Sequence, residues 1–266
     1  MVHAHHFRAL PACRLLAWSL LAATSRTHAA DLGGGLTAGG TVSLTSDYIY
    51  RGLSESDGHG AAQADVHLDS AAGTFLGVWA STRDRNLQPG ADYEVEAYLG
   101  QRFDLGSTWS TSVDGRAHYY VGGMQYTSLD YQEVSASLTY LDRWSLSLTA
   151  IPNAVRYSYT QRLSRGLAWV ADTSGQWLLA HGLFATAGAG YYYANGRSTQ
   201  LPTDYLAAPL PSGAGGYAYG NVGLACEYRH WRLDVGYFLT QSRAQEVVAP
   251  YPLANHRFAA TVSWRF

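Results

Sequence analysis

Apolar and polar residues alternate along most of this chain with a period of two, which predicts β-strands with two different faces. The stretch TVSLTSDYIYRGLSES, residues 41–56, shows the pattern first. Its apolar residues share one parity of the numbering: Val42, Leu44, Tyr48 and Tyr50. The other parity carries two ionised side chains, Asp47 and Arg51. Eleven further segments repeat this alternation up to residue 266, so we expect twelve strands.

The links between the expected strands alternate in length. Every even-numbered strand before the last is followed by a tight turn: SAAG (70–73), DLGS (104–107), LDRW (141–144), LAHG (179–182) and YRHW (228–231). The odd-numbered strands are followed by longer, more polar links such as SESDGHG and the stretch 195–215. Short turns at one end and long loops at the other are typical of a transmembrane barrel. We therefore predict an all-β fold, an antiparallel up-and-down transmembrane β-barrel of twelve strands over residues 41–266.

The contents of the two faces favour a barrel that is apolar outside. The apolar parity is mostly Ala, Val and Leu in mid-strand, with aromatic residues towards the strand ends: Tyr48, Tyr50, Trp109, Tyr119, Tyr140, Trp144, Trp177, Tyr228, Trp231 and Trp264. An aliphatic belt between two aromatic girdles is the pattern of a lipid-facing surface. Burial in the core of a soluble sheet would explain the number of these aromatic residues but not their placement.

The polar parity is expected to line the lumen. Its charged and histidine members are Asp47, Arg51, Asp65, His67, Asp69, Glu94, Glu96, Arg102, Asp114, Arg116, His118, Glu133, Asp172, Glu227, Arg232 and Asp234. Inward glycines such as Gly77 and Gly100 are expected to leave room for water. The carboxylates outnumber the arginines, and a charged lining sets ionic preference in pores. An open channel would therefore lean towards cations.

The first hairpin allows a specific contact prediction. Residues that oppose each other in an antiparallel pair point to the same side of the sheet. With a loop at residues 53–60, Asp47 is expected near His67, and Arg51 is expected to contact Asp65.

The beginning of the chain resembles a secretory signal. Two arginines, Arg8 and Arg14, precede a short apolar run and a small-residue segment that ends at Ala29-Ala30. This is the layout of a cleaved signal peptide. We assign residues 1–29 to it, with residue 30 as the alternative end, and treat 30–40 as a flexible segment before the barrel.

Composition narrows the function further. Without residues 1–29 the chain keeps 15 arginines and no lysine against 20 acidic residues, a net charge of −5. That balance argues against nucleic acid as a partner, because binding it needs a basic face. Cys226 remains as a lone cysteine, so no intramolecular disulfide can form. The expected partners are the lipid bilayer of the outer membrane, the barrel-assembly machinery, and small polar solutes or ions.

No motif for catalysis or metal binding stands out. The chain contains neither G-x-S-x-G nor H-E-x-x-H. His67 and His118 are the only histidines expected to face the lumen, and any wet lumen could place carboxylates near them. We therefore predict no catalytic residues, no metal site and no cofactor.

Residues 41–266 carry a family resemblance, which is most specific in the first hundred residues. VSLTSDYIYRGLSESDGHGAAQADV, then GTFLGVWAS and DYEVEAYLG, are similar to the TorF-like porin family of Gram-negative bacteria. The motif SDY-x-Y-R-G-L-S carries most of the similarity, and the segment 150–215 departs furthest from the family. The resemblance implies an outer-membrane pore and supplies no catalytic residues.

These patterns together predict a narrow or gated outer-membrane channel for small polar solutes, with a weak preference for cations. Twelve strands lie between the small barrels that side chains fill and the large ones that hold a water channel. A closed structural or adhesive barrel is therefore the main alternative, and an outer-membrane enzyme is a weaker one. The sequence does not indicate an oligomeric state.

The last strand carries a candidate membrane-insertion signal. The chain ends on TVSWRF, a terminal Phe with apolar residues at alternating positions before it: Phe258, Val262, Trp264 and Phe266. This arrangement resembles the C-terminal signal by which outer-membrane proteins are recognised for insertion.

Deleting Phe266 should strongly reduce the amount of assembled protein in the membrane while export across the inner membrane continues. The measurement is the folded, heat-modifiable band on a gel, compared with total exported protein. Equal amounts of folded wild type and truncation would rule out the signal.

Overall fold

The computed structural model describes residues 30–87, 91–122, 129–157, 163–195, 215–248 and 252–266, so the predicted signal peptide lies outside it. These residues form fifteen strands and one five-residue helix. In chain order the elements are β1 (Ala30–Gly33), β2 (Leu36–Thr45), β3 (Ile49–Tyr50), β4 (Leu53–Ser54), β5 (Ala61–Ser70), β6 (Thr74–Thr82), β7 (Tyr93–Leu105), β8 (Trp109–Val121), β9 (Tyr131–Tyr140), β10 (Trp144–Tyr157), β11 (Leu163–Ala180), β12 (Leu183–Ala194), β13 (Gly215–Tyr228), β14 (Trp231–Thr240), α1 (Ala244–Val248) and β15 (Arg257–Arg265).

Twelve of these strands, β2 and β5 to β15, close into a ring. Each pairs antiparallel with its sequence neighbour, and β2 pairs with β5 on one side and with β15 on the other. The backbones of Gly40 and Phe266 exchange two hydrogen bonds of 3.0 Å at this closing seam. The predicted all-β antiparallel barrel of twelve strands is confirmed. No helix in the described part of the chain is long and apolar enough to cross a membrane.

The two faces of the wall follow the predicted parity. Along β8 the even-numbered side chains are mostly buried, and the odd-numbered ones are mostly exposed. Outward aliphatic residues lie open on the outer surface, with Leu44 at 69% and Val222 at 58% exposure. Outward aromatic rings pair near the turn end, where Trp109 lies 4.7 Å from Tyr140. All five tight turns occur where the sequence predicts them.

The first predicted strand differs from the structure. Strand β2 begins at Leu36, inside the segment expected to be flexible, and ends at Thr45. Residues 46–60 then leave the wall, and β3 and β4 pair with each other as a separate two-stranded hairpin. The assignment of Tyr48 and Tyr50 to an outer girdle is wrong, because Tyr48 is 1% exposed and packs inside the barrel.

A tight turn explains why the chain leaves the wall. Arg51 and Gly52 both have positive φ, 48° and 79°. Two consecutive residues with positive φ form the two-residue turn that suits a narrow hairpin, and glycine is favoured there. A Cβ on Gly52 would also lie 2.7 Å from the Tyr219 Cβ, so glycine is needed for space as well.

Most of the inward glycines do not leave free space, contrary to expectation. A Cβ on Gly77 would lie 2.5 Å from the ring carbon Cζ of Tyr98 and 2.7 Å from the Val66 carbonyl oxygen. The Phe75 ring lies over Gly100 in the same way, and the Tyr219 ring over Gly190. These glycines accept the aromatic rings of neighbouring strands, which thickens the wall.

Gly77→Ala should therefore lower the free energy of unfolding by about 1–3 kcal/mol, the usual cost of overpacking. Gly115→Ala is the matched control, since a Cβ there meets nothing within 4 Å, and its effect should stay within about 0.5 kcal/mol. Urea unfolding of the refolded barrel measures both. Equal effects of the two substitutions would contradict the packing argument.

Candidate functional site

The interior of the barrel holds the chain segment 46–60, which we call the inner hairpin. It contacts inward-facing side chains from strands all around the ring: Trp79, Glu94, Glu133, Tyr217, Thr240 and Arg257. These strands surround the segment, so it lies in the lumen. Among the described residues, this segment therefore occupies the loop half of the interior.

Three polar contacts fix the inner hairpin to the wall. The Tyr48 hydroxyl donates to Glu94 Oε2 at 3.1 Å. The Arg51 guanidinium donates to Glu133 Oε2 at 2.8 Å, and both side chains are largely shielded from solvent. The Tyr217 hydroxyl also donates to the Arg51 carbonyl at 3.0 Å. The hairpin is thus held by hydrogen bonds and an ion pair, and also by Ile49 and Leu53, which are buried in apolar clusters.

Asp47 organises the base of the inner hairpin. Its Oδ1 accepts from the hydroxyls of Ser54 at 2.5 Å and Ser56 at 3.0 Å, and from the Gly58 backbone N–H at 3.3 Å. Its Oδ2 accepts from Arg257 at 3.0 Å. Asp47 therefore holds the two ends of the inner hairpin together and links them to β15.

The contacts predicted for the first hairpin are wrong. Asp47 binds the loop and Arg257 instead of approaching His67, and Arg51 pairs with Glu133 instead of Asp65. The whole segment 46–60 acts as the loop between β2 and β5, so Gly39, and not Asp47, stands opposite His67. Asp47 and Arg51 do face the interior as predicted, but Tyr48 also lies inside, because this segment is not part of the wall.

The loop that follows β6 also contacts the inner hairpin. The Arg83 guanidinium pairs with the Glu55 carboxylate, and the Asp84 backbone N–H donates to the Glu55 carbonyl at 3.2 Å. The Asn86 backbone N–H donates to Asp84 at 2.7 Å and lowers the pKa of that carboxyl. Neither Arg83 nor Glu55 was predicted from the sequence, because both fall in the polar links that follow expected strands.

Near the inner hairpin, strands β7, β8 and β9 bring a histidine and three glutamates together. Glu94 and Glu96 share the inward face of β7, and His118 stands directly opposite Glu96 on β8. His118 Nδ1 lies 3.1 Å from Glu94 Oε1 and 3.2 Å from Glu96 Oε1, and Nε2 lies 3.5 Å from Glu133 Oε1. All four side chains are buried.

Arg116 supplies positive charge beneath this cluster. Its guanidinium lies 2.6 Å from Asp114, and 3.8 Å from both Glu96 and Glu133. Arg51 and Arg83 approach Glu133 and Glu94, so each glutamate around His118 has an arginine neighbour. The sequence identified His118, Arg116 and the glutamates as inward but did not predict that they meet.

The remaining predicted lumen residues form smaller groups. Asp65 binds His67 at 2.7 Å, and Asp69 lies 3.6 Å from the same ring. Asp172 accepts from the Tyr219 hydroxyl at 2.6 Å. Near the turn end, Arg232 pairs with Glu227 and Asp234, each at 2.7 Å, and Arg102 is half-buried. The four residues of the candidate insertion signal lie on the outer face, with Phe258 at 74% exposure.

The two halves of the interior differ in character. At the loop end, Leu53 of the hairpin packs into a cluster of buried apolar and aromatic side chains that includes Ile151, Val170 and Val247 of α1. Towards the turn end, small hydroxyls meet across the strands, as in the 2.7 Å contact of Ser112 with Ser137. The barrel is thus packed at one end and lined by small polar groups at the other.

A closed antiparallel ring with an apolar outside and a charged inside defines a porin-like β-barrel. Residues 29–191 match the family described as "Bacterial protein of unknown function (Gcw_chp)", and the chain belongs to that family. No curated protein matches it. The match names no TorF-like family, so that finer resemblance stays a prediction.

Among solved structures the fold resembles porins. The NanC porin aligns over 85% of this chain and 97% of its own, with 8% identity and a TM-score of 0.51. The KdgM porin covers 86% and 98% with 10% identity and a TM-score of 0.46. OmpF of Salmonella typhi covers 87% and 98%, again with 10% identity, at a TM-score of 0.38. At these identities the likeness shows the fold alone.

Asp47→Asn should lower the free energy of unfolding by about 1.5–3 kcal/mol, because it removes charge-assisted hydrogen bonds in a buried loop. Asp57→Asn, the same change at an exposed position of the same loop, should cost less than about 0.5 kcal/mol. Urea titration measures both, and hydrogen exchange over residues 46–60 shows whether the loop loosens. Equal stability of the two variants would contradict the role given to Asp47.

Proposed function

We propose that this chain is an outer-membrane porin of a Gram-negative bacterium, a narrow channel for small polar solutes and ions that the inner hairpin gates. The observation that carries the proposal is a polar-anchored hairpin inside a barrel whose outer surface is apolar. Insertion would proceed through the barrel-assembly machinery and use the last strand. The TorF-like resemblance of the segment 41–100 supports the same assignment.

The outer surface supports a membrane location. Leu44, Val222 and Phe258 are among many large apolar side chains that are more than half exposed on the outside of the ring. A large exposed apolar surface is unfavourable in water, whereas hydrocarbon accommodates it. Several barrel strands are ten residues long, which is enough to cross the hydrocarbon core when tilted.

The interior supports gating by the inner hairpin. The turn half is lined by Ser and Thr hydroxyls, which water and small polar solutes can replace as partners. The loop half is closed chiefly by the hairpin. Its anchors, Tyr48 to Glu94 and Arg51 to Glu133, are polar contacts that water can take over when the hairpin moves.

The charge distribution supports a weak preference for cations. Many inward carboxylates pair with arginine, as Glu133 does with Arg51. Asp65 and Asp69 contact His67 instead, and Asp65 and Asp172 each accept from a tyrosine hydroxyl. These groups add negative charge along the path, and a charged lining sets ionic preference.

A closed structural or adhesive barrel is the second candidate. The observation that favours it is the apolar cluster at the loop end, where Leu53, Ile151 and Val170 pack as in a folded core. A barrel of this kind would hold the same hairpin permanently and would pass no current.

Planar-bilayer recordings on purified protein test the proposal. Wild type should show small, brief openings, with a reversal potential on the cation side in a salt gradient. Arg51→Ala removes the ion pair to Glu133 and should give longer or larger openings. Because removing one partner of a buried pair costs about 3–5 kcal/mol, its folding must be checked by heat-modifiability.

Arg85→Ala is the matched control, since Arg85 is 75% exposed and pairs only at the surface with Asp92. It should behave like wild type. Absence of current from both wild type and folded Arg51→Ala would favour the closed barrel. A reversal potential on the anion side would overturn the cation preference.

A further inference from the structure

We propose that Glu94, Glu96 and His118 form a binding site for one divalent transition-metal cation, of which Zn²⁺ is the best match. The inference goes beyond the proposed channel and does not depend on it. The sequence analysis predicted no metal site, because the three residues lie on two strands and match no known ligand motif.

The donor atoms have the spacing that a metal ion requires. Glu94 Oε1 and Glu96 Oε1 lie 3.1 and 3.2 Å from His118 Nδ1, and one ligand atom from each residue can be chosen so that all three lie within 4.8 Å of one another. Ligands at about 2.0–2.2 Å from Zn²⁺ in a tetrahedral site are about 3.3–3.6 Å apart. Small side-chain adjustments would therefore bring the three donor atoms to the spacing of metal ligands.

The strand geometry preorganises the three ligands. Glu94 and Glu96 are two residues apart on β7, so both point inward, and His118 is the direct cross-strand partner of Glu96. Both strands lie within the hydrogen-bonded wall. Their separation is therefore fixed by the ladder and does not rely on a flexible loop.

Glu96 gives independent support for a missing ligand. It is 1% exposed, and both of its carboxylate oxygens lack a hydrogen-bond donor among the described residues. A buried carboxylate without hydrogen bonds is costly, and its ionic neighbours, His118 and Arg116, lie at 3.2 and 3.8 Å. A cation among the three donor atoms would satisfy it directly.

The surroundings resemble the outer shell of a metal centre. His118 Nε2 faces Glu133 Oε1 at 3.5 Å, and the imidazole stacks on Tyr131 at 4.1 Å. A ligating histidine usually directs its second nitrogen to a carboxylate, which fixes the ring. Arg83 and Arg116 approach the Oε2 atoms of the two glutamates. The Oε1 atoms that face His118 are therefore not occupied by these guanidiniums, although Glu94 Oε1 also accepts from the neutral Tyr120 hydroxyl at 2.9 Å.

The donor set selects the kind of metal. One imidazole and two carboxylates suit Zn²⁺ and its neighbours in the first transition series, whereas Ca²⁺ and Mg²⁺ prefer sites made only of oxygen. Metals that need thiolate are excluded here, because the single described cysteine, Cys226, is exposed on the outer face of β13. Three protein ligands leave further positions for water.

Titration of metal-stripped, refolded protein with Zn²⁺ in detergent, followed by calorimetry and metal analysis, tests the site. Wild type should bind one Zn²⁺ per chain. Glu96→Gln and His118→Gln should each weaken binding by at least about tenfold, the minimum loss seen even for outer-shell partners. The matched control is His67→Gln, which alters another buried histidine between two carboxylates and should leave binding unchanged.

X-ray absorption on the wild-type protein keeps the test independent of variant folding. The expected spectrum shows a Zn²⁺ shell of nitrogen and oxygen atoms with one imidazole. No stoichiometric Zn²⁺ on wild type would overturn the proposal. Binding that His67→Gln weakens as much as His118→Gln would overturn it as well.

Discussion

The closing seam between β2 and β15 is the constraint on which the rest of the structure depends. Once Thr41 to Thr45 pair with β15 on one side and with β5 on the other, each of the twelve barrel strands has two neighbours and the ring is closed. A closed ring separates an outside from an inside. Because the outside is apolar, the ionised side chains of the wall must lie inside, where an unpaired charge is costly.

That cost explains why the interior is a network of paired charges. Arg116 and Arg232 each neutralise more than one carboxylate from their own strand or a neighbouring one. At the loop end the wall does not supply enough partners. Arg51 and Arg83 come from loops and lie 2.8 and 3.8 Å from the wall carboxylates Glu133 and Glu94. The inner hairpin therefore provides counter-charge as well as bulk.

Much of the fold could be predicted because a strand encodes its two faces locally. The parity of β7 and β8 follows from adjacent residues, and the turn after Leu105 fixes which residues of the two strands face each other. The pairing of Glu96 with His118 was thus within reach of the sequence. Alternation alone does not give this pairing, because the pairing depends on the register that the turn imposes on β7 and β8.

The inner hairpin could not be predicted in the same way. Tyr48 and Tyr50 keep the parity of a wall strand, so alternation alone does not distinguish a strand from a hairpin that folds inward. The deciding partners are remote, since Arg51 and Glu133 are 82 residues apart. The local sequence feature that indicates a hairpin is Arg51-Gly52, a two-residue turn. The period-two alternation on both sides of this turn favoured a continuous strand instead.

Glu94 connects the hairpin to the proposed metal site. Its Oε2 accepts from Tyr48 of the hairpin, whereas its Oε1 faces His118. A cation bound at Oε1 would leave the Tyr48 hydrogen bond in place, so the two contacts do not compete. The closed hairpin would hold Glu94 in the position for metal binding, and linkage requires that the metal favour the closed hairpin in return. If both proposals hold, the cation acts as a ligand that stabilises the closed state of the channel.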